Sequence, residues 1–480
     1  MKHGQTAIVY FVSKSIATGV SFIATVYFAR LLGAEVLGMY ALALAVVAWL
    51  EIGGKLGLEK AIVKRLSEGT EKGAHFAAGA MMMGGLFTVM ALLVLAGRTH
   101  LEAYIGAPVA HIMVGIIAAS LIYRLSIAAL QGHHLVHVYA LLSPSRLVVG
   151  SIIQVGLVLI GLELAGLLTG YALGMLLAAT AGFVIVAPAI RRPEKKHITS
   201  VVSYAKYAWL GSISDESFRW VDITVLGLFV SQGLVGIYMI AMSVAAFLNR
   251  FGSAISTTLF PEISFNAAAG NDRAVNRLVE DSFTYAGLFL IPGVVGGALL
   301  ADRILLIYGS EFVAGTIILW ILVGGFLVYS YQKQFVNALN AVDRPELAFR
   351  VNGVFIVANV VLNVTLISTV GWVGAAIATA LAATIGAAYG FVTVRRTLGV
   401  GLPIGEIGSQ FIAATVMGVF VYGGRRMGGP TELAEYNVLF VCFLVGLGGG
   451  IYFVTLFLIS ERFRQTVVSN LPPLPVGIGE

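Results

Sequence analysis

Fourteen apolar stretches joined by short polar connections restrict what this chain can become. They fall at about 6–29, 36–57, 74–97, 108–130, 138–161, 165–189, 204–230, 234–259, 283–301, 313–333, 347–369, 371–393, 406–424 and 436–459. Each approaches or exceeds the roughly 20 residues with which a helix, rising about 1.5 Å per residue, crosses hydrocarbon. A chain in lipid must satisfy its own backbone hydrogen bonds, and within segments of this length only the α-helix does so. Composition agrees. Of 480 residues 58% are hydrophobic and 11% charged, where soluble domains carry about 25% charge. No polar stretch exceeds a loop, so no soluble domain of any size is expected. The expectation is an all-α polytopic membrane protein with about 14 transmembrane helices.

Several classes are disfavoured at once. The net charge of +6 comes from membrane-flanking loops and is no nucleic-acid signature. One cysteine, Cys442, rules out an intramolecular disulfide and a thiolate cluster, and is read as a small buried hydrophobe. His133, His134 and His137 sit in a connection without an acidic partner, so no metal site is expected. No P-loop, G-x-S-x-G elbow or H-E-x-x-H motif is present. The first apolar stretch is too long for a signal-peptide core and reads as a retained helix.

Charge sets the orientation. With a cytoplasmic N-terminus, the inner loops collect Lys55, Lys60, Lys64, Arg65, Lys72, Arg191, Arg192, Lys195 and Lys196, and later Arg273, Arg277, Arg344, Arg395, Arg396, Arg462 and Arg464. The outer loops hold Arg30, Arg98, Arg303, Arg425 and Arg426. This positive-inside asymmetry implies an even number of spans and two cytoplasmic termini.

The chain also repeats itself. Leu37-Gly38-Met39-Tyr40-Ala41 and Val235-Gly236-Ile237-Tyr238-Met239 open the second and eighth spans at an offset of 198, and Gly166 to Ala172 echoes Gly374 to Ala380. Matched spans differ by six, an even number, so the repeats run parallel and imply two pseudo-symmetric six-helix lobes plus two C-terminal helices. The corresponding limits are 1–197, 198–400 and 401–480.

Polar residues within the spans mark candidate sites. The stretch Tyr207 to Val230 carries Asp215, Glu216, Arg219 and Asp222. At 100° per residue Asp215, Arg219 and Asp222 share a face, which must look into protein or water rather than lipid. Asp215, Glu216 and Asp222 are candidates for ion coupling or gating and Arg219 for substrate binding, the alternative being an ion-pair cluster that sets helix register. Lys14, Thr18, Ser21 and Thr25 form a stripe in the first span, facing a hydrated cavity or, for Lys14, snorkelling to the surface. Asn249, Ser253 and Ser256, with Arg250 adjoining, form another. Lys333, Asn337 and Asn340 follow Tyr329, Tyr331 and Gln332, and Asn352, Asn359 and Asn363 share one face. Amides, hydroxyls and aromatic rings suit neutral sugars, and also suit interhelical packing. Arg124 and Arg146 lie toward the cytoplasmic ends of their spans, where they cradle a phosphate or anchor at headgroups. Deep cations (Lys14, Lys206, Arg219, Arg250, Lys333) outnumber the deep anions Asp215, Glu216 and Asp222, which suits an anionic substrate.

The piece Ala29-Arg30-Leu31-Leu32-Gly33-Ala34-Glu35-Val36-Leu37-Gly38-Met39-Tyr40 resembles the start of Wzx-type polysaccharide (O-antigen) flippases. Those belong to the multidrug/oligosaccharidyl-lipid/polysaccharide exporter superfamily. Leu226-Gly227-Leu228-Phe229, Leu259-Phe260-Pro261-Glu262-Ile263-Ser264 and Gly371-x-x-Gly374-Ala375-Ala376-Ile377-Ala378 extend the resemblance over nearly the whole chain. It implies two six-helix bundles, two further helices and alternating access to a central lumen in the cell membrane. It also implies export, without bond-making chemistry, of polyprenyl-pyrophosphate-linked oligosaccharide to the outer leaflet. No cofactor is implied beyond a coupling proton or sodium ion. The expected partners are the lipid-linked glycan, membrane lipids and glycan-assembly proteins. A drug or cation antiporter and a lipid II flippase of the same superfamily are the alternatives. A membrane glycan polymerase or ligase is more remote, since it needs a large outer loop that this chain lacks.

Overall fold

The computed structural model describes residues 3–55, 57–208, 210–428 and 435–470. Side chains are described for all of these except 3–11, 54–55, 206–208, 210–219, 249–251, 253–254, 257 and 470. Among the described residues every regular element is helical. In chain order these are α1 (His3–Lys55), α2 (Leu58–Ser67), α3 (Lys72–Ala96), α4 (Arg98–Ile105), α5 (Ala110–Gly132), α6 (Val136–Leu159), α7 (Glu163–Val186), α8 (Lys195–Ala208) and α9 (Leu210–Phe229). Then follow α10 (Gln232–Ala268), α11 (Asp272–Leu306), a 3-10 turn at Ser310–Gly315, α12 (Thr316–Ala341), α13 (Pro345–Val370), α14 (Val373–Leu398), α15 (Ile404–Gly428), α16 (Asn437–Ile459) and α17 (Glu461–Asn470).

Eleven of the described helices are long and apolar enough to cross a membrane. One of them covers Val12–Gly53, 42 residues, about 63 Å of helix against roughly 30 Å of hydrocarbon. The excess is resolved at Gly33, where φ 77° and ψ 177° interrupt α1. A side chain at Cβ makes that conformation costly, so glycine marks the break between the first two expected spans. Of the stretches 204–230 and 234–259, the parts that qualify as apolar helix are the shorter pieces Trp220–Phe229 and Gln232–Leu248.

The chain forms two compact units, 1–239 and 240–480. In the first, α6 and α7 cross closely: a Cβ on Gly174 would sit 2.7 Å from the Gly150 Cα, and one on Gly170 would sit 2.8 Å from the Gln154 Cα. The repeated glycines also meet. A Cβ on Gly38 would lie 1.7 Å from the Gln232 carbonyl oxygen, and one on Gly236 1.9 Å from that of Ala34. The two copies of the L/V-G-x-Y motif thus cross each other, each offering its glycine to the other's backbone. Helix α9, which the lobe boundary at 197/198 assigns to the second half, packs within the first unit. Trp49 Nε1 donates to Thr224 Oγ1 at 2.8 Å, and the Tyr104 hydroxyl donates to the Thr224 carbonyl at 2.7 Å.

In the second unit, one buried cluster centres on Phe283, Phe335 and Val351 of α11, α12 and α13. Another joins Ile291 and Leu300 of α11 to Met417, Phe440, Leu444 and Tyr452 of α15 and α16. Cys442 departs from expectation, for it is exposed. Its neighbours Val441 and Leu444 take the packed face of α16. The helix is apolar all round, so its sequence carries no amphipathic signal of which face meets protein and which meets lipid.

Candidate functional site in the membrane helices

Polar side chains inside the first unit fall into three groups. The first is on α9. Asp222 is 0% exposed, and the Tyr238 hydroxyl donates to its Oδ2 at 2.5 Å. A carboxyl oxygen so buried is costly to leave without such a donor. The side chains of Asp215 and Arg219, expected on the same face, and that of Glu216 lie outside the described residues, as do those of Lys206, Asn249, Arg250 and Ser253.

The second group surrounds Arg124 on α5. Its Nη2 bonds Glu51 Oε2 at 2.9 Å and its Nη1 bonds Glu59 Oε2 at 3.2 Å. Glu51 is 7% exposed. One guanidinium between two carboxylates carries a net negative charge, so Arg124 is committed to fastening α5 to α1 and α2. Sequence reading missed both glutamates, which stand 73 and 65 positions away.

The third group surrounds Arg146 on α6. Its guanidinium lies 5.3 Å from the ring centroid of Tyr123 and 5.8 Å from that of Tyr171. No carboxylate is within ion-pair reach among the described residues, and its Nε is buried without a hydrogen-bond partner. Eight residues on, Gln154 Nε2 donates to the Tyr40 hydroxyl at 3.1 Å and to the Leu167 carbonyl at 2.8 Å. Arg146 lies ten residues into a 24-residue helix, about 15 Å from its start. Sequence reading missed Gln154, although positions 146, 150 and 154 fall on one side of the helix.

The first-span stripe is partly open: Lys14 is exposed, and Thr18, Ser21 and Thr25 are half-buried. Thr25 Oγ1 bonds back to the Ser21 carbonyl at 2.8 Å. In the second unit, Gln334 and Asn337 of α12 clasp α10. Ser256 Oγ donates to Gln334 Oε1 at 2.9 Å, Gln334 Nε2 to the Gly252 carbonyl at 3.1 Å, and Asn337 Nδ2 to the Ser256 carbonyl at 3.2 Å. Lys333 lies 5.2 Å from the Tyr329 ring centroid. Asn359 and Asn363 are buried in the α13–α14 packing, where Asn359 Nδ2 reaches Thr379 Oγ1 at 3.3 Å and Asn363 Nδ2 reaches the Asn359 carbonyl at 2.9 Å. Asn352, half-buried, is on the same helix and Asn340 is exposed.

Residues 4–267 match the family model for polysaccharide biosynthesis proteins. The chain belongs to the polysaccharide biosynthesis protein family. Similarity then runs the whole length. The chain is 30% identical over 458 residues to the probable flippase AglR of Haloferax volcanii, covering 94% of each chain. It is 26% identical over 476 residues to the probable low-salt glycan biosynthesis flippase Agl15 of the same organism, covering 98% of this chain and 99% of that one. Among solved structures, the lipid II flippase MurJ in an inward closed conformation shares the fold, with a TM-score of 0.82 at 16% identity over 96% of this chain and all of that one. The expected all-helical architecture, with many helices long and apolar enough to cross a membrane, is therefore borne out.

Proposed function

We propose that this protein is a flippase that carries a polyprenyl-pyrophosphate-linked oligosaccharide from the cytoplasmic to the outer leaflet of the cell membrane by alternating access. The observation that carries this reading is full-length similarity to two relatives named as flippases, one of them for glycan biosynthesis. The polar inventory supports it. Arginine and lysine within the spans suit a pyrophosphate, and hydroxyl, amide and aromatic groups suit a glycan. A lipid tail remains in the bilayer while the head group crosses, and no covalent bond changes. Lys14, Arg219 and Arg250 are assigned to the pyrophosphate. The face of Asp215, Arg219 and Asp222 is assigned to switching. A buried carboxylate met by a phenol O–H, as Asp222 is, has the chemistry to exchange its partner for a proton or a sodium ion. An antiporter of drugs or cations would favour an acidic cavity.

The test is replacement of the gene by variants in its own host, with lipid-linked oligosaccharide extracted and quantified. Loss of the protein, or Lys14→Ala with Arg250→Ala at parental expression, is expected to raise lipid-linked oligosaccharide several-fold and to leave surface glycan depleted. Unchanged lipid-linked and surface glycan on complete loss of the protein would overturn the reading.

A further inference from the structure

Arg146 and Arg124 have the same charge and lie on neighbouring helices, but their surroundings differ in kind. Arg124 is met by two carboxylates. Arg146 is met by two aromatic rings and by no acid among the described residues, and its buried Nε has no acceptor. An arginine well inside a membrane span is retained when something compensates it. Tyrosine faces at 5.3 and 5.8 Å stabilise a cation but supply no oxygen to its in-plane N–H fork. That fork matches an oxyanion with two parallel acceptors. Arg146 is half-buried rather than sealed, so a ligand can reach it.

The two rings add chemistry suited to a sugar. Tyr123 and Tyr171 are both half-buried, and aromatic faces pack on the C–H face of a pyranose. Farther along α6, Gly150 packs against Gly170 and Gly174 of α7, and Gln154 is spent on Tyr40 and the Leu167 carbonyl, which fixes the helix that carries Arg146.

We infer that Arg146, with Tyr123 and Tyr171 beside it, is a binding site for an oxyanion of the transported glycan. The inference rests on the lipid-linked glycan reading. Two sources share this chemistry: the pyrophosphate of the carrier and the carboxylate of an acidic sugar.

Binding of soluble probes to the purified full-length protein tests the site without transport. Sodium pyrophosphate, sodium glucuronate and neutral glucose are titrated calorimetrically at constant ionic strength. At least one anion should bind the parent, and Arg146→Gln should weaken it tenfold or more without a matching loss for glucose. Arg146→Lys should recover only part of the affinity, because an ammonium keeps the charge and loses the planar fork. Tyr123→Leu should weaken the same anion several-fold, whereas Tyr123→Phe keeps the ring and most of the affinity. Preference for pyrophosphate identifies the head group; preference for glucuronate identifies an acidic sugar. Equal affinity of parent and Arg146→Gln for both anions, or no binding of either anion to the parent, overturns the site. If Arg146→Gln does not fold, parental affinity in both Arg146→Lys and Tyr123→Leu has the same force. Glycan export in cells is measured separately, so an export-competent protein without an anion site at Arg146 separates this inference from the flippase reading.

Discussion

At the scale of single residues, the spans hold polar groups by giving each a specific neighbour. Asp222 takes the Tyr238 hydroxyl at 2.5 Å and is 0% exposed. Removing that donor leaves a buried carboxyl oxygen short of a hydrogen bond in low dielectric, a loss of about 1–3 kcal/mol. Tyr238→Phe should therefore lower the thermal midpoint of the purified protein, and Asp222→Asn combined with it should cost less than the sum of the two single changes. Simple additivity would show that the pair is not coupled. The tyrosine itself was visible in the repeated motif, where Tyr40 and Tyr238 are equivalent. Only the structure shows that both copies use the hydroxyl to engage a polar side chain of another helix, Gln154 in one case and Asp222 in the other.

At the scale of elements, the repeat explains a crossing. Gly38 and Gly236 press against the backbones of Gln232 and Ala34 at distances no Cβ tolerates, so Gly38→Ala and Gly236→Ala each force the helices apart. Each should destabilise by about 1–3 kcal/mol. The double variant should cost little more than the worse single one, because a crossing already opened has room for the second methyl. Thermal melts of the four proteins check this, and full additivity would speak against a shared contact.

Helix α8, which precedes α9, is fastened differently. Lys64 lies 4.7 Å from the Tyr204 ring centroid, and Arg65 Nη2 donates to the Ser200 carbonyl at 3.2 Å. Glu71 accepts from Lys196 at 3.0 Å and from His197 Nε2 at 2.9 Å. His197 Nδ1 accepts the Glu194 N–H at 3.0 Å, so the ring hydrogen is on Nε2 and points at the carboxylate. The hydrogen bonds from Lys196 first and His197 second hold the Glu71 carboxyl below its ordinary value of 4.5. A depressed carboxyl contributes stability that is complete above the ordinary value and lost as pH falls through the lowered one. A spin label on Ser203→Cys in a Cys442→Ser background should gain mobility as the pH drops from about 7 to about 3. Glu71→Gln should start mobile and respond less. Identical profiles would show that Glu71 does not hold α8.

At the scale of the whole molecule, the basic loops predict orientation. Single cysteines in 55–73 and 191–200, again with Cys442→Ser, should resist an impermeant thiol reagent applied outside intact cells and react once the membrane is opened. Labelling of either loop from outside would reverse the orientation. Removing Cys442 matters for this assay, because its thiol is exposed on α16 rather than buried.

The sequence by itself determined the helical membrane class, the place of most spans and the family resemblance. The reason is that a bilayer imposes a length and an apolarity that each crossing must meet locally. It did not decide which arginine is compensated. Arg124 and Arg146 look alike along the chain, and the glutamates that claim Arg124 come from α1 and from α2, brought in by the packing of α5. Nor did it decide whether an asparagine row faces substrate or another helix: the structure spends Asn359 on α14 and Asn337 on α10. Helices apolar on every side carry no periodic record of their packed face. In such a protein the pairing of charges and amides is a property of helix packing, and only the tertiary structure could supply it.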